Sequence, residues 1–346
     1  MNESYPFSKY LRILGKGPKA RRNLTEAEAS RAFEILCNGQ VTDRQLGAFL
    51  LLMRANGESQ DELNGFLKQA KLCMNDLSGA ETPDLDWGTY SGKWRYPPYF
   101  LLSLKILANN GYKILLHGDH GQFETRAYAQ QWLKDLHFHE IEVAHLSSWE
   151  ESQVNYLALH KFAPLLRDIL HLKEELGVRT VFNTLVKLLN PYHAPVSIQG
   201  IYHKGVERLH HSAASKINQQ YNLVFKGEGG EAEIRPDALT TLYFSLPNDQ
   251  TLAEIKVPAV IERQKRPEVW HHKNLIDLWK GSSSDLYGEQ SVICTTAVAL
   301  MSIKLSKIKE PEQAKNLIYS ADFFSDSYQQ ASSMWAQRGS SYVKAS

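Results

Sequence analysis

Residues 24–63 read LTEAEASRAFEILCNGQVTDRQLGAFLLLMRANGESQDEL, and this stretch decides the fold. Thr25 with Glu28, Thr42 with Gln45, and Ser59 with Glu62 each match the S/T-x-x-E/Q capping box, in which side chain and backbone satisfy one another's orphan groups at a helix start. Behind each pair, apolar residues recur at helical spacing: Ala29, Phe33 and Leu36; then Leu46, Phe49, Leu50 and Met53; then Leu63, Phe66, Leu67 and Ala70. Asn38-Gly39 and Asn56-Gly57 break the runs. The spacing predicts consecutive helices in a compact helical subdomain.

Further along, from about Asp84, short apolar runs alternate with helical patterns. KILLHG (113–118) precedes a predicted helix over 124–136, and NLVFKG (222–227) reads as another strand. ICTTAVALM (293–301) fits either a strand or a buried helix. Segment 161–190 reads as helical and stops at Asn190-Pro191, while the polar stretch from Ala321 reads as a fraying tail. Alternation of this kind implies βαβ units, and 346 residues suffice for a large α/β domain beside a smaller one. The formal net charge of +1 leaves the question of a polyanion partner to local clustering. An N-terminus without an apolar core, and a densest apolar run of only 48–53, argue against export and membrane insertion. Cys37, Cys73 and Cys294 are far apart and include no C-x-x-C pair, so neither a disulfide framework nor a zinc ribbon is expected, and a cytoplasmic location fits.

Three segments carry a resemblance to a known family. Residues 24–63 resemble the helical N-terminal domain of anthranilate phosphoribosyltransferases, LGVRTVFNTLVKLLNP (176–191) is similar to their R-T-x-F-N…N-P helix, and FKGEGGEAEIRP (225–236) to their metal-binding strand and loop. The resemblance implies an α/β protein of the nucleoside phosphorylase/phosphoribosyltransferase type. It would have a helical domain over 1–80 with a contribution from 161–190, an α/β domain with a mixed central sheet over 81–320, and a polar tail over 321–346. It also implies a homodimer formed through the helical domain.

The loops that would carry the family's chemistry are rewritten. Against a G-T-G-G-D pyrophosphate loop, Gly88 and Thr89 match but Tyr90, Ser91 and Gly92 do not, and Pro97 and Pro98 supply no N–H. Against K-H-G-N-R-x-x-S-S, His117 and Gly118 match, whereas Leu116, Asp119, His120, Phe123 and Glu124 depart. Carboxylates there would repel an anionic substrate by about 4 kcal/mol per contact at 4 Å. The family's magnesium pair falls on Glu231 and Ala232, with Glu233 one residue on. In an extended segment Glu231 and Glu233 would share a face and bind magnesium. Arg179 matches the arginine that contacts anthranilate, or simply braces its helix.

The string K-G-x-G-G-E-A-E, Lys226 to Glu233, resembles a paralogous branch, the YbiB-type proteins, which implies a non-enzymatic, nucleic-acid-binding role. In SGKWRYPPY (91–99) Lys93 and Arg95 interleave with Trp94, Tyr96 and Tyr99, a pattern suited to stacking bases and meeting phosphates, or else to a repacked cleft with Trp94 and Tyr99 as buried anchors. Lys16, Lys19, Arg21 and Arg22 in the N-terminal arm, and Lys204, Arg208 and His211 at helical spacing, form further basic segments, as does IERQKRPEVWHHK (261–273). Each is equally a solvated face. The leading expectation is therefore sequence-tolerant binding of single-stranded DNA or RNA on a degenerate scaffold. The alternative is a magnesium-dependent phosphoribosyltransferase or related pentosyltransferase, anthranilate-type or with an unknown acceptor, using Glu231 and Glu233 for metal and Arg179 for a carboxylate. A plain interaction scaffold is the third. His117, Asp119 and His120 read as a structural turn rather than metal ligands, and no hydrolase, zincin, Walker or Rossmann motif is present.

Overall fold

The computed structural model describes residues 5–17, 19–75, 77, 81–143, 149, 153–203, 205–216, 221–246 and 252–339. The three capping boxes open α2 (Glu26–Cys37), α3 (Asp43–Asn56) and α4 (Gln60–Cys73), each with both reciprocal hydrogen bonds in place. A preceding helix, α1 (Ser8–Leu14), packs on α3 through Phe7, whose ring meets Phe49 edge-on at 5.1 Å. Glu62 does two jobs at once: one oxygen accepts the Ser59 N–H of its own box and the other accepts from Leu24 N, both at 2.8 Å. At Gly65 the α4 backbone lies against α2 so closely that a Cβ would sit 2.2 Å from the Glu26 carbonyl oxygen.

The α/β domain is a single eight-stranded mixed sheet in the order β3-β4-β2-β1-β5-β6-β7-β8. Its strands are β1 (Leu85–Thr89), β2 (Ile114–Gly118), β3 (His139–Glu140), β4 (Val154–Ala158), β5 (Val196–Ile201), β6 (Tyr221–Lys226), β7 (Thr240–Ser245) and β8 (Ala253–Val257). Pairings as far as β6 are parallel, and β7 and β8 run antiparallel. Helix α5 (Phe100–Asn109) leads from β1 to β2, and the short α6 (Leu133–Leu136) precedes β3. The ambiguous run 293–301 lies inside the long buried helix α13 (Leu286–Ser306), whose burial on nearly all sides erases the periodicity that separates a helix from a strand.

Three expectations need correction. The predicted helix over 124–136 shrinks to a 3-10 turn and α6, because Ala127 pairs with Lys93 in an isolated antiparallel bridge that extends the chain there. The predicted polar tail contains α15 (Phe323–Ala336), which follows α12 (His272–Lys280) and α14 (Pro311–Ile318) and buries Phe323, Ala331 and Trp335 against α13. Cys37 and Cys73, distant in sequence, are brought together by α2 and α4 with Cα atoms 6.4 Å apart and are joined as a disulfide.

Segment 161–190 is a chain of short helices rather than one: α7 (Leu159–Phe162), α8 (Pro164–His171), α9 (Lys173–Leu176) and α10 (Phe182–Leu185), interrupted at Gly177 with φ of 71°. From α10, Phe182 packs on Phe33 of α2 and Phe66 of α4 at 5.3 and 5.5 Å between ring centres. Helix α11 (Glu207–Lys216) also lies against α4. Among the described residues no helix is long and apolar enough to cross a membrane.

Candidate active site

The loop after β1 is built around buried groups. Lys93 is 1% exposed, and its ammonium lies between two buried carboxylates, paired with Glu228 and bonded to Glu233 Oε1 at 2.5 Å. Burial alone would favour the neutral amine, but the two glutamates outweigh it and raise the Lys93 pKa. Desolvation pushes Glu233 up to about 7, opposed by Lys93 and reinforced by Glu228. The other oxygen of Glu233 accepts the Phe100 N–H at 2.9 Å, at the start of α5. Glu231 accepts from Ser91 N at 2.7 Å and Gly92 N at 2.6 Å. The anion positions that a phosphate cradle would offer, bare loop N–H groups and a helix N-terminus, thus already carry the protein's own carboxylates.

The expectation that Glu231 and Glu233 share a face toward magnesium is therefore corrected. Their segment is a turn following the 3-10 residues 228–230, with Gly229 and Gly230 at positive φ, so the two side chains diverge to different partners. Among the described residues no group of three or more His, Cys, Asp or Glu could hold a metal. The aromatic residues of the loop also turn inward. Tyr96 stacks on Tyr287 at 4.1 Å, Tyr99 bonds to Asp285, and Pro97 and Pro98 are buried. Of the loop's cations and rings, Trp94 and Arg95 alone are partly exposed, with Arg126 lying 4.0 Å over the Trp94 ring.

The second loop is braced as well. His117 accepts or donates at Nδ1 to Tyr90 Oη, 2.6 Å away, while its Nε2 lies 3.2 Å from Asp86, whose other oxygen accepts from Ser197 at 2.9 Å. Burial holds the Tyr90 phenol well above its ordinary pKa, so this network is a structural tie rather than an activated nucleophile. Asp119 is buried against His171 at 2.7 Å and Arg167 at 3.5 Å. Its expected repulsion of an anion is thus cancelled locally. Gly88 and Thr89 in β1 and Gly118 in β2 are buried strand residues.

Between the two domains lies a cavity of about 390 Å³, lined by Arg54 and Glu58 from the helical side, Phe123, Arg179 and Lys187 from the middle, and Tyr202 from the sheet side. Lys187, buried beneath Gly88, donates to Gly200 O at 2.6 Å, Gly230 O at 2.8 Å and Ser91 Oγ at 3.0 Å, all neutral acceptors. Its pKa falls to about 8, chiefly through burial, with Arg179 and Arg126 adding to the fall against the pull of Glu231. Arg126 donates to the Ser91 carbonyl at 2.6 Å and lies 3.9 Å over Phe123, and Arg179 lies 5.3 Å over the same ring. Burial lowers both arginine pKa values, and for Arg126 the next cause is Arg179 itself. Sequence reasoning found Arg179 but missed Arg126, Lys187 and Glu228. For Lys187 the available signal was a cation inside the otherwise apolar run LVKLL (185–189).

The remaining basic candidates stay apart from this cleft. Lys16 and Lys19 are exposed, Arg21 bonds to Asn56 at 2.7 Å, and Arg22 forms a two-pronged pair with Glu28 at 2.6 and 2.7 Å. Arg208 is exposed on α11, but His211 is buried on Ser245 Oγ at 2.6 Å, so the proposed basic face does not form. Lys204 lies outside the described residues.

Fold and cleft together define a two-domain protein with a cation-lined cleft at the junction of a helical bundle and a mixed sheet. The glycosyl transferase family's helical bundle domain matches residues 8–70 and its α/β domain matches residues 136–310. The chain belongs to that glycosyl transferase family. Relatives include the anthranilate phosphoribosyltransferase of Methanococcoides burtonii, 26% identical over 69% of this chain and 70% of that protein. The enzyme of the same name from Actinobacillus pleuropneumoniae is 28% identical over 64% and 70%. Among solved structures, the Saccharomyces cerevisiae anthranilate phosphoribosyltransferase in complex with PRPP and Mg superposes with a TM-score of 0.71 at 16% identity, covering 97% of this chain and 98% of that one. The Thermus thermophilus enzyme gives 0.65 at 18%, covering 95% and 99%. The fold is of the anthranilate phosphoribosyltransferase type, as the sequence implied.

These relatives, named for phosphoribosyl transfer, overturn the expectation of a nucleic-acid-binding protein. The physical reason agrees with them. Lys93 and Tyr96, two of the residues expected to meet phosphate and base, are buried, Lys93 paired with Glu228 and Glu233 and Tyr96 stacked on Tyr287.

Proposed function

We propose that the protein is a glycosyltransferase of the phosphoribosyltransferase type, receiving a phosphorylated pentose donor and a carboxylate-bearing aromatic acceptor in the cleft between its domains. The observation that supports this reading is the convergence of Arg126, Arg179 and Lys187 beside Phe123 and Tyr202. Cations that repel one another out of bulk water are stabilised by an incoming anion, and an aromatic ring beside them suits a planar acceptor. When the bond from the sugar's C1 to its pyrophosphate breaks, negative charge grows on the departing oxygen. Fixed cations aimed at that charge lower the barrier without reorganising. Here Lys187, held by three acceptors, contributes position as well as charge, while Arg179 and Arg126 offer planar forks for phosphate or carboxylate.

The yeast neighbour is in complex with PRPP and Mg, but among the described residues no group of three or more His, Cys, Asp or Glu could hold a metal. Magnesium demands near-octahedral oxygen ligands at about 2.0–2.1 Å, yet Glu228 and Glu233 enclose an ammonium and Glu231 is engaged by two backbone N–H groups. The reading is tested by following anthranilate fluorescence with PRPP present. Consumption that needs both substrates, and that falls roughly ten- to a hundredfold in Arg179→Ala, is expected. Failure of both substrates to bind at millimolar concentration would contradict it.

A further inference from the structure

We infer that Lys93 is a built-in replacement for a divalent cation, so that this chain engages its phosphorylated ligand with no metal bound at Glu228 and Glu233. The inference deepens the proposed function and rests on it for the identity of the ligand, while the metal question stands on the geometry alone.

Four observations carry it. Lys93 Nζ, Glu228 and Glu233 are all at most 2% exposed, and the ammonium touches both carboxylates, filling the space a metal ion would need. Lys93 is also fixed at its backbone: its N–H donates to Ala127 O and its carbonyl accepts from Ala127 N, each at 2.8 Å. A lysine anchored at both ends is not a surface side chain that swings aside for an ion. Glu233 has a second commitment too, to Phe100 N at 2.9 Å, while the second oxygen of Glu228 makes no hydrogen bond and lies 3.9 Å from the Arg95 guanidinium. Finally, Gly229 and Gly230 adopt φ of +68° and +90°, conformations that L side chains rarely adopt, which turns Glu228 and Glu231 toward their separate partners. At Gly230 a Cβ would also come within 2.9 Å of Ser91 Oγ, so the turn is shaped to close on the Lys93 loop.

Charge gives the same answer. One ammonium facing two carboxylates, with Arg95 nearby, is close to balance. A divalent ion entering the pair would bring the two positive charges to the same buried point as the lysine and would have to expel it. Magnesium sheds its waters reluctantly and would gain only these two side chains in return.

The test uses the full-length protein and manganese(II) as the probe, read by loss of the free-ion paramagnetic resonance signal. Wild type is expected to leave the signal unchanged with the metal at millimolar concentration. Lys93→Ala, which uncovers the two carboxylates, is expected to bind manganese at least about tenfold more tightly than wild type. Manganese binding by wild type that weakens about tenfold in Glu233→Gln would overturn the inference. That comparison needs no Lys93 variant and holds even if Lys93→Ala does not fold. In parallel, PRPP is titrated calorimetrically into wild type and Glu233→Gln, in EDTA and in magnesium. Equal metal dependence of the two proteins supports the inference, and a magnesium gain seen in wild type but lost in Glu233→Gln contradicts it. Absence of PRPP binding in either buffer sinks the proposed function alone, because the manganese measurement still decides the metal question.

Discussion

The helical domain and the loop after β1 were both read from short stretches of sequence, and they fared in opposite ways. In the helical domain each decisive interaction spans three residues: Thr25 with Glu28, Thr42 with Gln45, Ser59 with Glu62. In the loop the decisive partners are 135 and 140 residues away, at Glu228 and Glu233. An alternation of cations and rings looks the same whether the residues project into solvent or fold inward onto carboxylates supplied by a distant turn. Short-range pattern fixes where a helix starts, whereas the sign and exposure of a site depend on what the fold brings opposite it.

The largest effect is expected at Lys93. Removing one partner of a buried, bonded charge cluster leaves the others uncompensated, so Lys93→Ala should lower unfolding free energy by about 3–5 kcal/mol in urea denaturation. A loss below about 1 kcal/mol would return the loop to the surface and break the comparison. Next comes the covalent tie within the helical domain. The Cys37–Cys73 bridge closes a separation of 36 residues, and Cys73→Ser should cost roughly 2–4 kcal/mol under oxidising conditions and close to nothing once both proteins are reduced. Equal stabilities before and after reduction would mean that α2 and α4 hold without it.

A smaller effect belongs to the caps. Thr42→Ala removes one acceptor for an orphan N–H and should cost about 1 kcal/mol. Smallest of all is the N-terminal arm, where Lys19→Ala, at an exposed site, should change stability by no more than about 0.5 kcal/mol. The Arg22–Glu28 pair beside it holds the Glu28 carboxyl down at about 2, against an ordinary 4.5. Because the folded value is the lower one, this contribution is present above the unfolded value and is lost as pH falls from 4.5 toward 2. An acid titration of Glu28→Gln that tracks wild type through that window would remove the pair from the account.

Several parts of the fold were legible for physical reasons that can be named. Strands β2 and β6 stood out as short apolar runs closed by glycine, Gly118 and Gly227. Helix α13 did not declare itself, since burial on nearly every side leaves no polar stripe to mark the turn. Helix α15 was hidden by its serines and glutamines, although Phe323, Ser327, Ala331 and Trp335 at fourfold spacing mark its inward face. In the cleft, Arg179 was recognisable through family resemblance. Lys187 and Arg126 were not, because their roles come from the Ser91 loop they both touch. Glu228 sat unremarked inside the glycine-rich string although it is the partner that turns Lys93 inward.

The central claim, that the interdomain cations receive the phosphorylated ligand, is tested most directly by calorimetric titration of PRPP into wild-type protein across the titration of Lys187. This lysine has a pKa lowered to about 8 from 10.5, so in the free protein it is charged below that value and neutral above it. Affinity should fall roughly tenfold between about pH 7 and about pH 9, and Lys187→Met should flatten the profile at the weaker level. Affinity that holds or rises over that interval, with Lys187→Met following wild type, would contradict the account.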